Sequence, residues 1–358
     1  MNNYHLALIP GDGIGVEVIR EGQKALNTLA EVHGGFSVEY RDFPWSCEYY
    51  LKHGAMMPED GLEQLKPFDA IYLGAVGFPG VADHVSLWGL LLPIRRAFQQ
   101  YINLRPVKLL RGLTSVLRDR DARDIDFLVV RENNEGEYSN IGGRIYEGTP
   151  QETVVQNAVF TRFGVERVLS YAYELARKSP GKRLTAATKS NGITYTMPFW
   201  DEVVQSYAEQ YPDVTTSVTH IDALAAFFVS SPQQFDVVVA SNLFGDILTD
   251  LGAAIAGGLG VAPSANLNPE KQFPSMFEPV HGSAPDIAGR GIANPIAALW
   301  TASMMLDHLG ETESAALLLA SIEDVIEAKR VLTPDLGGTA TTSDFGDAVC
   351  EQIKQRAR

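Results

Sequence analysis

At 358 residues the chain exceeds the roughly 250–300 at which a single core stops growing, so one large or two smaller domains are expected. Its 45% hydrophobic and 20% charged residues suit an ordinary globular protein, and a formal net charge of -15 opposes the clustered basic surface that nucleic acid requires. No apolar run approaches the roughly 18 residues of a membrane span, the opening MNNYHLALIPGD enters a strand instead of a signal-peptide core, and two cysteines, Cys47 and Cys350, match no metal spacing; a cytoplasmic protein without membrane or nucleic-acid partners is expected.

The first predicted strand runs into glycines in LALIPGDGIGVEVI, Leu6 to Ile19. A dinucleotide fingerprint needs G-x-G-x-x-G; Gly11 and Gly13 fit, but the third slot is Val16 and Gly15 falls one residue early. The context otherwise suits the motif: a helical stretch near Val16 to Val32 follows, then the alternating strand FSVEYRDF with Glu39 where a ribose ligand would lie. A true fingerprint and a glycine turn without cofactor both remain open on this stretch. A helical PEDGLEQLK and a strand DAIYLGAV continue the alternation, which predicts an α/β fold with a largely parallel sheet. Further strands are predicted at IDFLVVREN, RLTAATKS, VTTSVTHID and FDVVVAS, with helices at VERVLSYAYELARKS and PFWDEVVQSYAEQYP. The glycine-punctuated SNIGGRIYEGTPQETVVQNAVFT suggests a projecting β arm that pairs with a partner, and the final third is strongly helical. No repeat or linker-like segment separates the domains.

Several polar residues sit where strands end or glycines gather. SNLFGDILTDLG puts Asp246 and Asp250 at i and i+4, on one face of a helix, where like charges repel unless a cation lies between them. The blander alternative is a helix cap at Asp246 and a solvated Asp250; Asp222 in THIDALAAFF has the same two readings. Arg95 in LLLPIRRAF, Arg105 in INLRPV and Arg131 in VVRENNEGEY would each pass alone for a surface ion pair, yet three forks beside three aspartates suit a metal-chelated dicarboxylate. Lys189 in TAATKSNGI follows an apolar strand, a placement compatible with a desolvated amine acting as base, and Tyr138 is either a proton donor or a packed aromatic. In FEPVHGSAPDIAGRGIANP, Ser283 and Asp286 have capping-box spacing; the functional alternative is a loop on a nucleotide, with Asp286 accepting from ribose hydroxyls and favouring NAD over NADP.

Taken together, IPGDGIG, NLRP, VREN, EGEY, TKSN, NLFGDILTDLG and FEPVHGSAPDIAGRGIANP, in this order, resemble the β-decarboxylating hydroxyacid dehydrogenases, the family of isocitrate and isopropylmalate dehydrogenases, over essentially the whole chain. The resemblance implies an isopropylmalate-dehydrogenase-like α/β fold that is not a Rossmann fold, with two α/β domains and a cleft between them. A terminal domain (1–100 and 257–358) would carry most of the NAD site. A central domain (101–256) would carry the metal ligands, the dimer interface and an arm near 140–160. It implies that Arg95, Arg105 and Arg131 hold substrate carboxylates, that Trp88, Leu91 and Leu92 line the substrate pocket, and that Lys189 is the base and Tyr138 the proton donor. Asp222, Asp246 and Asp250 would bind Mn2+ or Mg2+, with K+ as an optional accessory ion. Ile14, Gly74, His281, Gly282, Ser283, Ala284, Asp286, Ile287 and Asn294 would bind NAD. Family members are homodimers in which Lys189 and Asp222 would reach into the partner's site, and the resemblance moves ribose recognition from Glu39 to Asp286.

Within the family, Gly89 and Leu91 stand where isocitrate enzymes have Ser and Asn, and Trp88 where isopropylmalate enzymes have an acidic residue. A bulky indole favours a four-carbon acid such as D-malate or tartrate, oxidised at C2 and then decarboxylated. Pro93 falls where a helix would continue and puts the pose of Arg95 in question. The rival readings are a 3-isopropylmalate dehydrogenase, a non-catalytic regulatory subunit on the same fold, and a metal hydrolase.

Overall fold

The computed structural model describes residues 2–357. In chain order the strands are β1 (Asn2–Gly11), β2 (Phe36–Asp42), β3 (Ala70–Ala75), β4 (Ile102–Lys108), β5 (Asp126–Glu132), β6 (Gly142–Ile145), β7 (Thr153–Gln156), β8 (Arg183–Thr188), β9 (Thr215–His220), β10 (Val237–Ala240), β11 (Pro263–Leu267) and β12 (Ser275–Pro279). The helices are α1 (Gly15–His33), α2 (Cys47–His53), α3 (Gly61–Leu65), α4 (Asp83–Ser86), α5 (Leu92–Ala97), α6 (Arg162–Lys178), α7 (Thr196–Gln210), α8 (Ile221–Ser230), α9 (Asn242–Ile255), α10 (Ile296–Leu309), α11 (Thr312–Ala328) and α12 (Thr342–Arg356). The chain divides into two compact units: one takes in the chain up to Gln100, Lys108–Arg123 and everything from Ala253 onward; the other is Tyr101–Val107 with Asp124–Gly252.

The terminal unit is built on strands in the order β2-β1-β3-β12-β11, parallel except for the β11–β12 pair. β1 reads as a continuous apolar run because both its faces are covered. Alternation sends Ala7 and Ile9 into a core with Met56, Leu90 and Ile94, and the intervening positions to the opposite face. There Tyr72 donates to the Ala298 carbonyl (2.7 Å), and Gly22 leaves room for it: a Cβ at Gly22 would lie 2.1 Å from the Tyr72 hydroxyl. The segment Lys108–Arg123 joins this unit through Arg111, which pairs with Glu323, Asp324 and Glu327 of α11 at 2.8–3.1 Å.

The central unit has the order β4-β5-β10-β8-β9, with parallel β5–β10, β10–β8 and β8–β9 pairs. Trp200, Phe127 and Phe228 fill its interior. Its helix α9 sits close to the sheet because its inward positions are glycines: a Cβ at Gly245 would lie 2.6 Å from Arg131 Cβ, and one at Gly252 2.5 Å from Val107 Cγ2. The predicted arm is the antiparallel pair β6–β7, with Ile145, Tyr146, Val154 and Val155 exposed.

Candidate active site

The strand-to-helix turn that opens the chain has no glycine left for a pyrophosphate. A Cβ at Gly11 would meet the Ala75 carbonyl oxygen at 1.9 Å, one at Gly13 the Ser283 carbonyl oxygen at 2.0 Å, and one at Gly15 the Pro10 carbonyl oxygen at 2.3 Å. Each glycine is explained by backbone packing within the terminal unit, as is Gly74, whose Cβ would meet the Pro10 carbonyl oxygen at 2.4 Å. The Ile14 N–H donates to the Ser283 carbonyl (2.8 Å), and Glu17 accepts from the Gly289 N–H (2.5 Å), so the turn braces the 281–291 loop. Glu39 is spent on Asn3 (3.0 Å) and His5 (3.3 Å) near the start of β1.

That braced loop begins no helix at Ser283, so the capping-box alternative falls away; α10 starts only at Ile296. Ala284 is held at φ 42°, a left-handed conformation that costs a non-glycine residue energy and clusters at functional sites. Gly282 and Asp286 are exposed, Ile287 is half-buried, and Ser283 is buried. Burial lowers the pKa of His281, keeping the ring neutral; its Nδ1 faces the Gly282 carbonyl (2.9 Å), while Nε2 is buried without a partner among the described residues. An unpaired buried ring nitrogen and an exposed carboxylate on one loop fit a nucleoside with its two ribose hydroxyls. Asn294 is already used at both ends: Nδ2 donates to Asp335 (2.9 Å) and Oδ1 accepts from the Ile296 N–H (2.9 Å).

Also in the terminal unit, Pro93 costs no helical hydrogen bond. Between α4 and α5 the residues Leu87–Leu91 form a π-turn, in which the Leu92 N–H donates five residues back to Leu87, and Pro93 falls in the first turn of α5. Arg95 is buried and donates to Glu278 (2.7 Å), while its Nε has no partner among the described residues and remains available for a ligand. The Arg96 guanidinium lies 4.8 Å from the ring centre of Trp88; Trp88 and Leu91 are half-buried, whereas Leu92 is 3% exposed.

In the central unit the helical period of α9 lines up Asn242, Asp246, Thr249 and Asp250, and two arginines from adjacent strands meet that stripe. Asp246 is one turn inside the helix, so it is no cap. Arg131 on β5 donates through Nε (3.1 Å) and Nη2 (2.7 Å) to Asn242 Oδ1, and through Nη1 to Asp246. Arg105 on β4 donates to Thr249 (2.7 Å), Asp250 (3.4 Å) and Asn103 (2.9 Å), with Asp246 at 3.8 Å. The Tyr138 hydroxyl donates to the other oxygen of Asp246 (2.8 Å); burial, followed by that carboxylate, raises its pKa and keeps the phenol protonated. Burial also raises the Asp250 carboxyl, Arg105 opposing the shift and Asp246 adding to it; two carboxylates one helical turn apart are oxygen donors of the kind a hard divalent cation takes. The sequence pointed to Arg105, Arg131, Tyr138, Asp246 and Asp250; it missed Asn242 and Glu137, which accepts from Ser241 Oγ (2.8 Å) and the Leu243 N–H (3.0 Å) to cap α9.

Asp222 does not join them. It is the second residue of α8, whose cap position is His220, and its carboxylate pairs with Lys189 Nζ at 2.7 Å. The ammonium lowers the Asp222 pKa, and Lys189 keeps 30% of its side-chain surface exposed, so within one chain it is an ion-paired and incompletely desolvated amine. Among the described residues no three carboxylate, imidazole or thiol groups gather as a metal site, so the expected aspartate triad is divided within a single chain.

The chain belongs to the isocitrate/isopropylmalate dehydrogenase family, which it matches over residues 5–349, and is therefore an enzyme that oxidises a CH–OH group. It is 57% identical to the D-malate dehydrogenase (decarboxylating) of Escherichia coli K12 and 56% identical to a probable tartrate dehydrogenase/decarboxylase of Bacillus subtilis 168, each alignment covering 99% of both chains. In structure it resembles the isocitrate dehydrogenase of Methylococcus capsulatus with a TM-score of 0.87, at 33% identity, covering 98% of this chain and 100% of that one. No helix among the described residues is long and apolar enough to cross a membrane.

Proposed function

We propose that the chain oxidises and decarboxylates a four-carbon 2-hydroxy dicarboxylic acid, converting D-malate to pyruvate and CO2 and also accepting tartrate, with NAD and Mn2+ or Mg2+. The observation that carries the reading is the α9 stripe, where two guanidinium groups and a neutral phenol converge on two carboxylates. The names of the 56–57% identical relatives support the substrate class, and Trp88 in place of an acidic residue supports the small substrate over 3-isopropylmalate.

When bound, NAD+ would supply the acceptor for the C2 hydride, and the divalent ion would supply positive charge that polarises the substrate oxygens. Arg95, Arg105 and Arg131 grip the substrate carboxylates and fix which carbon is oxidised. Lys189 accepts the proton of the C2 hydroxyl. After the C3–carboxylate bond breaks, its electron pair remains on C3, and the Tyr138 hydroxyl gives C3 the proton that completes the product. His281 and Asp286 hold the nucleoside part of the cofactor. Asp246 and Asp250 hold the ion, and Asp222 joins them from a second copy of the chain in a homodimer. That assignment accounts for the separate Lys189–Asp222 pair and for the exposed apolar β6–β7 arm. Two free cysteines suit a reducing cytoplasm.

The test is the rate of NADH absorbance with D-malate, L-tartrate, meso-tartrate and 3-isopropylmalate under one set of conditions, with Mn2+ and K+ supplied or withheld. D-malate turnover that needs the divalent ion is expected; preference for 3-isopropylmalate would replace the substrate assignment, and ion-independent turnover would remove the role of Asp246 and Asp250.

A further inference from the structure

Arg131 is 2% exposed, and the group that takes two of its N–H donors is an amide, not a carboxylate. We infer that Asn242 is a positioning residue for the substrate carboxylate: it aims the Arg131 guanidinium without neutralising it. The inference rests on the assignment of Arg131 to a substrate carboxylate.

The orientation of the Asn242 amide is fixed from both ends. Oδ1 accepts from Arg131 Nε and Nη2, while Nδ2 donates 3.1 Å to the Glu135 carbonyl; turning the amide over would set NH2 against guanidinium donors and a carbonyl against a carbonyl. Asn242 is itself 2% exposed, so it cannot swing away without leaving buried donors unpaired. Two close approaches hold it against the guanidinium: a Cβ at Gly136 would lie 3.3 Å from Asn242 Cβ, and Gly245 brings α9 onto Arg131 itself. Glu137 independently caps the helix that Asn242 begins.

Charge then decides why an amide stands there. Arg131 already faces one carboxylate, Asp246. A second at position 242 would leave the guanidinium flanked by two negative charges and repel an incoming anion. A carbonyl oxygen orients the same two donors and adds no charge, so the attraction that Arg131 offers to a substrate carboxylate is preserved. Asn242→Asp keeps shape and acceptor oxygens while adding that charge, and an acidic side chain at the start of a helix is compatible with the helix dipole, so the variant is a test of charge.

In the full-length protein with Mn2+ and NAD+, Asn242→Asp is expected to raise KM for D-malate by about tenfold or more, the scale of a charge-assisted hydrogen bond, while KM for NAD+ stays within about twofold. Asn242→Ala, which loses the aim but adds no charge, is expected to lower kcat as well. Calorimetric titration of D-malate into the two proteins with Mn2+ gives the same comparison without turnover. An Asn242→Asp protein that binds D-malate as tightly as the parent, or that loses NAD+ affinity in parallel, overturns the inference. Absence of NADH formation by the parent protein would instead defeat the functional reading, and the titration still decides the role of Asn242.

Discussion

Asp246 shows how one carboxylate is shared among roles by its neighbours. One oxygen faces Arg131 and the other accepts from Tyr138, so the phenol proposed as the proton donor is held by a carboxylate that, with burial, keeps it protonated. Tyr138→Phe removes the donor and leaves Arg131, Arg105 and the carboxylates in place. Oxidation should therefore survive within several-fold, whereas release of pyruvate should fall by about a hundredfold or more, the lower range of general acid catalysis. Rapid-mixing absorbance would show this as a burst of NADH followed by a slow steady state; an unchanged steady state would count against Tyr138 as the donor. These residues were only partly legible in the sequence. Arg131 looks like any strand-end arginine until its burial is known, and Asn242 opens a helix where asparagine is commonplace.

Among the elements, the π-turn between α4 and α5 resolves the conflict that Pro93 poses on paper. A proline where a helix continues costs a backbone hydrogen bond unless it falls in a first turn; the fifth-residue hydrogen bond from Leu92 to Leu87 ends the preceding turn so that Pro93 does fall there. Gly89 lies within the turn, and a Cβ there would sit 2.7 Å from Cγ of the buried Met56. Gly89→Ala is expected to destabilise by about 1–3 kcal/mol through overpacking. In a Met56→Ala background the same change should be neutral or stabilising, because the methyl enters vacated space and alanine is the better helix former. Thermal midpoints of the four proteins measure the coupling; equal shifts in both backgrounds would show that Met56 does not shape the turn. The α9 stripe, by contrast, was readable directly, since a 3.6-residue period places Asp246 and Asp250 on one face whatever they pack against. The opening glycine turn was not, because its partner, the Ser283 carbonyl, is 270 residues further along the chain and no local pattern records it.

At the level of the whole molecule, the alternation of strands and helices gave the fold class, but only long-range contacts decide which strands share a sheet. β12 beside β3 and β11 antiparallel to β12 set this architecture apart from a dinucleotide-binding fold that begins with a similar turn. Within the central unit the predicted chemistry falls into two groups: Arg105, Arg131, Tyr138, Asp246 and Asp250 are joined by hydrogen bonds and ion pairs, while Lys189 and Asp222 hold each other. The proposed reaction couples oxidation at C2 to loss of the carboxylate on C3. The simultaneous yield of NADH, CO2 and pyruvate from D-malate, NAD+ and Mn2+ measures that coupling directly. Equimolar amounts of all three are expected, abolished by EDTA and restored by Mn2+; NADH formed with the undecarboxylated four-carbon keto acid in place of pyruvate, or product formed without the metal, would contradict the proposed reaction.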